Sequence, residues 1–419
     1  MSERAVVMGQ GYVGLPVAIR AVEAGYDVVG FELDETKVAA LNAGSSHVED
    51  ITDERLAAAL ASGRYRASSD TADLADFDIA VISVPTPMRE GAPDLSYIER
   101  ASETLAPFVR EGSTVILEST TYPGTTEELA GPILAAGSGL EVGTGFHLGY
   151  SPERIDPGNA RYHLENTPKV VSGVDETSLH KVDEFFSRLV ETTVPVGGTR
   201  EAELTKLLEN TFRHVNIALV NELAVFAHEL GIDVWEAIDA ASTKPFGYMR
   251  FTPGPGVGGH CLPIDPSYLS WQVERSLGRT FRFVELANDV NQHMPDYVVR
   301  RAQALLNDHA KAVRGSTVVV YGLAYKANTS DARETPSRPV IDQLLRLGAH
   351  ICIVDPHVAA EQFPADAAPC DGSADDLADA DLVIYLVDHD DFDREAFVAS
   401  GVPVLDCRRA LSGPNVQHL

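Results

Sequence analysis

Residues 4–14 read RAVVMGQGYVG. The apolar run Ala5-Val6-Val7-Met8 leads into Gly9-x-Gly11-x-x-Gly14, followed by a helical run, LPVAIRAVEAGY, and a second strand-like run, DVVGFELD. A GxGxxG alone is a weak signal. Strand, glycine turn, helix, strand and terminal acid in this order predict a dinucleotide-binding α/β unit. Gly9 permits the tight turn, Gly11 lets backbone approach a pyrophosphate, and Gly14 lets the helix pack on the sheet. The phosphates would meet the free N–H groups and positive dipole end of that helix. Glu32 ends the second strand, where a carboxylate accepts from both ribose hydroxyls and repels a 2′-phosphate, so NAD is expected rather than NADP. The bland alternative is a glycine turn in an α/β domain without cofactor.

A chain of 419 residues exceeds one hydrophobic core and suggests two or three domains. Hydrophobic residues at 44% and charged residues at 23% fit a soluble globular protein. No run of apolar residues is long enough for a membrane span, and the first strand begins too early to leave room for a signal peptide, so a cytoplasmic location is expected. The four cysteines (Cys261, Cys352, Cys370, Cys407) form no CxxC pair, which suits reduced thiols better than a disulfide framework or a zinc ribbon. The net charge of −29, from 62 acidic against 33 basic residues, argues against nucleic-acid binding. The acids are scattered, as on the solvated surface of a salt-adapted protein, so an anionic substrate must be caught by locally placed Lys or Arg.

Further along, FDIAVISVPTP (77–87) and STVILEST (113–120) read as parallel strands whose carboxyl ends bring Thr86 and Thr120 to the cofactor crevice. A third strand, within 140–159, runs into Ser151-Pro152-Glu153-Arg154. Glu153 is either an acid/base beside the nicotinamide or a loop carboxylate paired with Arg154. From Thr199 to about Gly231, apolar residues at three- and four-residue spacing predict one long helix, a spine that links domains or pairs subunits. Lys206 and Asn210 share one of its faces, and Asn210, Asn216 and Asn221 are unusual inside so well patterned a helix.

Next comes PGPGVGGHCLPIDP (253–266), whose four glycines and four prolines rule out a regular helix or central strand. Taken alone it reads as a connector in which Cys261 packs as a small hydrophobe. It also holds the one strong nucleophile of the region, with Asp265 four residues on and Gly258 and Gly259 removing bulk just before the sulfur. At Ser316 the pattern restarts as a second α/β unit of about 105 residues without a GxGxxG: TVVVYGLAYK, SRPVIDQLLRLG, HICIVDP and ADLVIYLV. Its first loop carries Lys326, Asp331 and Arg333, and so supplies cations for a diphosphate.

These pieces, GQGYVG (9–14), SVPTP (83–87), ESTTYPGTT (118–126), SPERIDPGN (151–159), KLLENTFRHVNIALVNELA (206–224), GPGVGGHCLPIDP (254–266) and GLAYKANTSDARETPS (322–337), resemble the UDP-glucose/GDP-mannose dehydrogenase family over essentially the whole chain. The resemblance implies two Rossmann-like doubly wound parallel-sheet domains joined by a long central helix and a small helical domain. Its divisions are an NAD-binding domain (1–198), a central helical and dimerisation domain with the cysteine loop (199–310), and a UDP-sugar-binding domain (311–419). It implies a homodimer, and a four-electron oxidation of a sugar C6 alcohol to a carboxylate with two NAD+ and no metal.

By the same matching Cys261 is the nucleophile, Lys206, Asn210 and a water held with Asp265 stabilise oxyanions, Glu153 is the acid/base, and Thr120 helps hold the catalytic water. Gly9, Gly11, Tyr12, Val13, Gly14, Glu32, Lys37, Pro85, Thr86, Thr120 and Arg333 would contact NAD. Glu153, Arg154, Lys206, Asn210, Arg250, Gly258, Tyr325 and Lys326 would contact the nucleotide-sugar. Two positions depart from members specific for UDP-glucose: Pro157 stands where these often carry a second glutamate, and Ile264 where a lysine is typical. Both resemble the branch acting on UDP-N-acetylhexosamines, with UDP-glucose as the alternative substrate.

The chemistry agrees. An alcohol passes a hydride directly, but an aldehyde has none to give until a nucleophile adds, and a thiolate provides that step. Lys206 is the candidate charge for forming the thiolate. A Cys–His dyad with His260 and a zinc site from His260, Cys261 and Asp265 are both rejected, because adjacent residues diverge and a fourth ligand is missing. Two rivals remain: a two-electron dehydrogenase of the 6-phosphogluconate or 3-hydroxyacid type, and a catalytically dead NAD- or nucleotide-sugar-binding module.

Overall fold

The computed structural model describes residues 3–419 apart from Glu90, Pro157, Gly158, Ala160, His260 and Cys261. It divides into two compact units, Met1–Glu209 and Asn210–Leu419, each built on its own sheet.

In the first unit, β1 (Arg4–Met8), β2 (Asp27–Phe31), β3 (Tyr65–Ser68), β4 (Ile79–Ile82), β5 (Thr114–Leu117), β6 (His147–Tyr150), β7 (Lys169–Gly173) and β8 (Thr193–Pro195) lie in the order β8-β7-β6-β5-β4-β1-β2-β3. Pairing is parallel except between β6 and β7. Side chains alternate across a strand, so Ala5 and Val7 join one apolar core while Val6 and Met8 join another on the opposite face. Both faces are therefore covered, as the continuous apolar strands predict. The chain runs outward from β1 to β3 and then returns to β4 on the other side. That reversal opens a crevice at the carboxyl ends of β1 and β4.

The second unit repeats the device. Its strands are β9 (Thr317–Tyr321), β10 (His350–Val354), β11 (Ala368–Pro369), β12 (Leu382–Tyr385), β13 (Val404–Asp406) and β14 (Val416–His418), all parallel in the order β11-β10-β9-β12-β13-β14. Val318 and Val320 feed one core, Val319 and Tyr321 the other.

Three helices matter for function: α1 (Gly14–Glu23), α2 (Thr199–Glu229, the long helix) and α3 (Asp265–Leu277). The sequence places Asp265 in an irregular loop. The structure corrects this: Asp265 and Pro266 open α3, because proline is tolerated in the first turn, where its missing N–H costs nothing.

A second correction concerns the cysteines. Cys352 and Cys370 are joined as a disulfide, with Cα atoms 5.8 Å apart, while Cys407 is free and buried. Cys352 lies on β10 and Cys370 immediately follows β11, its neighbour, so sheet pairing brings together two residues that eighteen positions separate in sequence.

Candidate active site

The turn after β1 has the geometry a dinucleotide needs. Gly9 has φ +89°, and a Cβ there would stand 2.9 Å from the Ser83 carbonyl oxygen. A Cβ on Gly14 would fall 1.9 Å from the Gly9 oxygen, so that glycine is required by helix–strand packing alone. Gly11 differs: nothing lies within 4 Å of its would-be Cβ. Open space at the middle glycine, and an α1 N-terminus that no side chain caps, fit a pyrophosphate at this turn. Glu32 follows β2, half-buried, and accepts from the amides of Gln10 (3.1 Å) and Asp34 (3.1 Å). It is thereby aimed at the turn, and Lys37 lies just beyond on the next helix, Glu35–Asn42. On the neighbouring strands, the Thr86 hydroxyl donates to the Thr120 carbonyl at 2.8 Å and ties the ends of β4 and β5 together.

Glu153 follows β6 and is 7% exposed. Its Oε1 accepts from the amides of Arg154 (2.6 Å) and Ile155 (2.5 Å), and its Oε2 from Lys169 Nζ (3.2 Å). Its pairing is with Lys169, while the Arg154 guanidinium pairs with Glu209 at 2.6 Å and donates to the Pro168 carbonyl. The alternative of an Arg154–Glu153 ion pair is therefore set aside. Burial pushes the Glu153 carboxyl up, but the Lys169 ammonium, the Ile155 N–H and the Lys206 ammonium outweigh it and hold the group below the usual carboxylate range. Lys206, on α2 and 8% exposed, donates to the Glu153 carbonyl oxygen at 2.5 Å.

One turn further along α2, Asn210 belongs to the second unit and is equally buried. Its amide donates to Asp265 Oδ2 at 2.6 Å, so the helix side chain fixes the acid at the start of α3. Cys261, with His260, lies outside the described residues, and so does Pro157. Before Cys261, the loop is closely packed. A Cβ on Gly258 would stand 2.6 Å from Pro336 and one on Gly259 2.9 Å from the Tyr325 ring, while the Gly259 amide donates to the Glu334 carbonyl. These glycines thus serve close packing against the loop that follows β9; the sequence argument assigned their missing side chains to an approaching ligand. Arg250 pairs with Asp239 and Arg333 with Asp331, both at 2.9 Å.

Two groupings escaped the sequence reading. Asn221, noted only as odd, accepts from the Gly254 amide at 2.9 Å and donates to Asn291 at 2.9 Å, and Asn291 in turn reaches His214. The other is Lys169, which donates to Glu118 as well as to Glu153. A lysine at the head of the apolar strand KVVSG was the available signal.

A doubly wound unit with an open glycine turn, an acid after its second strand and a buried carboxylate beside the crevice defines an NAD-dependent oxidoreductase. Three consecutive segments match the UDP-glucose/GDP-mannose dehydrogenase family: its NAD-binding domain at residues 3–192, its central domain at 200–293 and its UDP-binding domain at 319–413. The chain belongs to that family. Its relatives include the UDP-N-acetyl-D-mannosamine dehydrogenase of Pyrococcus horikoshii, 34% identical over 93% of this chain and 90% of the relative. Another is the UDP-N-acetyl-D-glucosamine 6-dehydrogenase of Salmonella typhi, 34% identical over 92% and 90%. Among solved structures, the Pyrococcus horikoshii UDP-D-ManNAc dehydrogenase superposes with a TM-score of 0.89 at 32% identity, covering 99% of this chain and 98% of that one. A UDP-glucose dehydrogenase from Pyrobaculum islandicum gives 0.88 at 28%, covering 100% and 97%.

Proposed function

We propose that this chain oxidises the C6 alcohol of a UDP-N-acetylhexosamine, UDP-N-acetylmannosamine or UDP-N-acetylglucosamine before others, to the uronic acid in two hydride transfers. Bound NAD supplies the hydride acceptor for each transfer. The chain's own residues do the rest. The Cys261 thiolate adds to the C6 aldehyde, and the resulting thiohemiacetal has a C6–H that can leave as hydride. Lys206, Asn210 and a water held with Asp265 stabilise the oxyanions. Glu153 takes a proton from the water that cleaves the thioester, while Thr120 helps hold that water. Tyr325, Lys326 and Arg250 serve the nucleotide-sugar, and Arg333 the NAD.

The observation that carries the chemistry is Glu153: buried, fixed by two amides, and held ionised as a base must be. The N-acetylhexosamine assignment rests on the two relatives at 34% identity and on Pro157 and Ile264. Leu204, Leu208, Phe212, Leu219, Leu223 and Phe226 on α2 are exposed, an apolar surface on one helix that supports a homodimer. The net charge of −29 supports a cytoplasm of high salt. An unfolding midpoint that molar salt leaves unchanged would remove that part.

The test is NADH formation in high salt with UDP-N-acetylmannosamine, UDP-N-acetylglucosamine, UDP-N-acetylgalactosamine, UDP-glucose and GDP-mannose. Two NADH per sugar from an N-acetylhexosamine, with no acid formed by Cys261→Ser, is expected. Turnover of UDP-glucose alone transfers the assignment to that substrate, and one NADH per sugar selects the two-electron reading.

A further inference from the structure

Neighbouring strands β5, β6 and β7 gather two carboxylates and one ammonium beneath the loop that carries Glu153. Glu118 directly follows β5, Glu153 follows β6, and Lys169 opens β7. Their side chains are 0%, 9% and 2% exposed. Lys169 Nζ donates to Glu118 Oε1 and, at 3.2 Å, to Glu153 Oε2, and it sits 5.1 Å from the centre of the Phe186 ring. The other charged groups at the cluster are Lys206, which donates to the Glu153 carbonyl, and Arg154, whose guanidinium is turned to Glu209. None of the roles assigned to the reaction uses Lys169 or Glu118.

We propose that Lys169 and Glu118 are positioning residues for Glu153: the ammonium, seated on Glu118, fixes the Glu153 carboxylate and keeps it free of a proton for the hydrolytic step. In that step a water O–H proton passes to a Glu153 oxygen, the water oxygen bonds to the thioester carbon, and the C–S bond breaks to return the Cys261 thiolate. A carboxylate offers about four lone-pair sites, so two amides and one ammonium leave room for the water. The cluster separates its two acids. Burial pushes Glu118 up, only partly offset by Lys169. Glu153 faces the same burial but gains the Ile155 amide and Lys206 besides Lys169, and goes down. Lys169 is itself disfavoured by burial, and the two carboxylates more than restore its charge.

This inference rests on Glu153 acting as the base, and its test separates the two. In Lys169→Met, the acid limb of the steady-state rate should move up by about one pH unit, the loss expected when an opposite charge leaves a carboxylate. On the wild-type acid limb, kcat should fall about tenfold with KM for the sugar unmoved, and a Cys261-acyl adduct should accumulate in the intact mass spectrum. Lys169→Arg should restore the wild-type profile. If Lys169→Met does not fold, Glu118→Gln/Lys169→Met removes both partners and should show the same shift. Infrared difference spectra against Glu153→Gln read the protonation of Glu153 without turnover, and its carboxyl band should titrate about one pH unit higher in the Met variants than in wild type. A folded variant with an unmoved acid limb and an unmoved Glu153 titration, or a rise in KM alone, overturns the inference. Absence of NADH from wild type with every sugar overturns the proposed reaction instead, and the infrared result still decides this one.

Discussion

The two sheets solve one topological problem with opposite uses of the same acid. In both, a strand order that reverses beside the first strand opens a crevice, and an acid follows the second strand: Glu32 after β2, Asp355 after β10. Glu32 is half-buried and accepts one amide on each oxygen. Asp355 has a fully buried side chain and is consumed by its own chain. Its Oδ2 accepts from the amides of Leu323 (2.7 Å) and Ala324 (2.9 Å) and from His389 (3.3 Å), and its Oδ1 from His357 and Val358. His389 also accepts from the Asn328 amide, so it donates to Asp355 from Nε2 as a neutral ring. A glycine-rich turn holds its own shape and leaves its acid to a ligand. A longer loop with a single glycine at its start, Gly322, needs the acid to hold it together. The first crevice is shaped by what is missing, the second by what is tied down.

The largest effect should come from the turn itself. Gly14→Ala must displace the Gly9 carbonyl, and overpacking of that kind should cost about 3 kcal/mol with loss of NAD binding, checked by thermal unfolding and calorimetric titration. Asp355→Asn comes next and should act on the other unit. Burial pushes the Asp355 carboxyl up, but His389 and the amides of Ala324 and Leu323 outweigh it and bring it down to about 2. A depressed folded pKa stabilises above the unfolded value near 3.8 and is lost as pH falls towards about 2. That drop is worth about 2 kcal/mol. Wild type should lose this stability in acid and Asp355→Asn should lack it at neutral pH, with NAD affinity reduced far less than by Gly14→Ala. If NAD affinity falls as far as in Gly14→Ala, the division of labour between the acids is wrong.

Gly11→Ala sharpens the contrast within one turn. The space beside Gly11 is open, so the variant should melt like wild type yet bind NAD about tenfold more weakly, or about 1.4 kcal/mol. The smallest change is expected of Glu32→Gln: stability within about 0.5 kcal/mol of wild type, with KM for NAD raised a few-fold.

Fold and cofactor site were legible because both are written in local patterns. The strands that open at Arg4, Asp27, Ile79, Thr114, His147, Thr317, His350 and Leu382 announce themselves by apolar runs, and α2 by its spacing, whereas β3, reading YRAS, and the two-residue β11 do not. Lys169 and Glu118 were not legible, since their meaning depends on which strands are neighbours, and β5, β6 and β7 are adjacent only once the sheet is laid out. Cys352 and Cys370 were misread for the same reason. Gly258 and Gly259 show a further limit: their missing side chains were plain, but the ring and proline occupying that space come from residues 325 and 336.

Asn221 has a consequence for time rather than shape. Its side chain holds the Gly254 amide in a buried bond, and Asn291 and His214 stand behind it. A segment so rich in glycine and proline has few backbone bonds with which to resist opening. Solvent deuterium should nonetheless enter the Gly254 amide slowly, at the pace at which the helices bearing Asn221 and Asn291 part. The approach to the cysteine would then keep the clock of the helical core that anchors it.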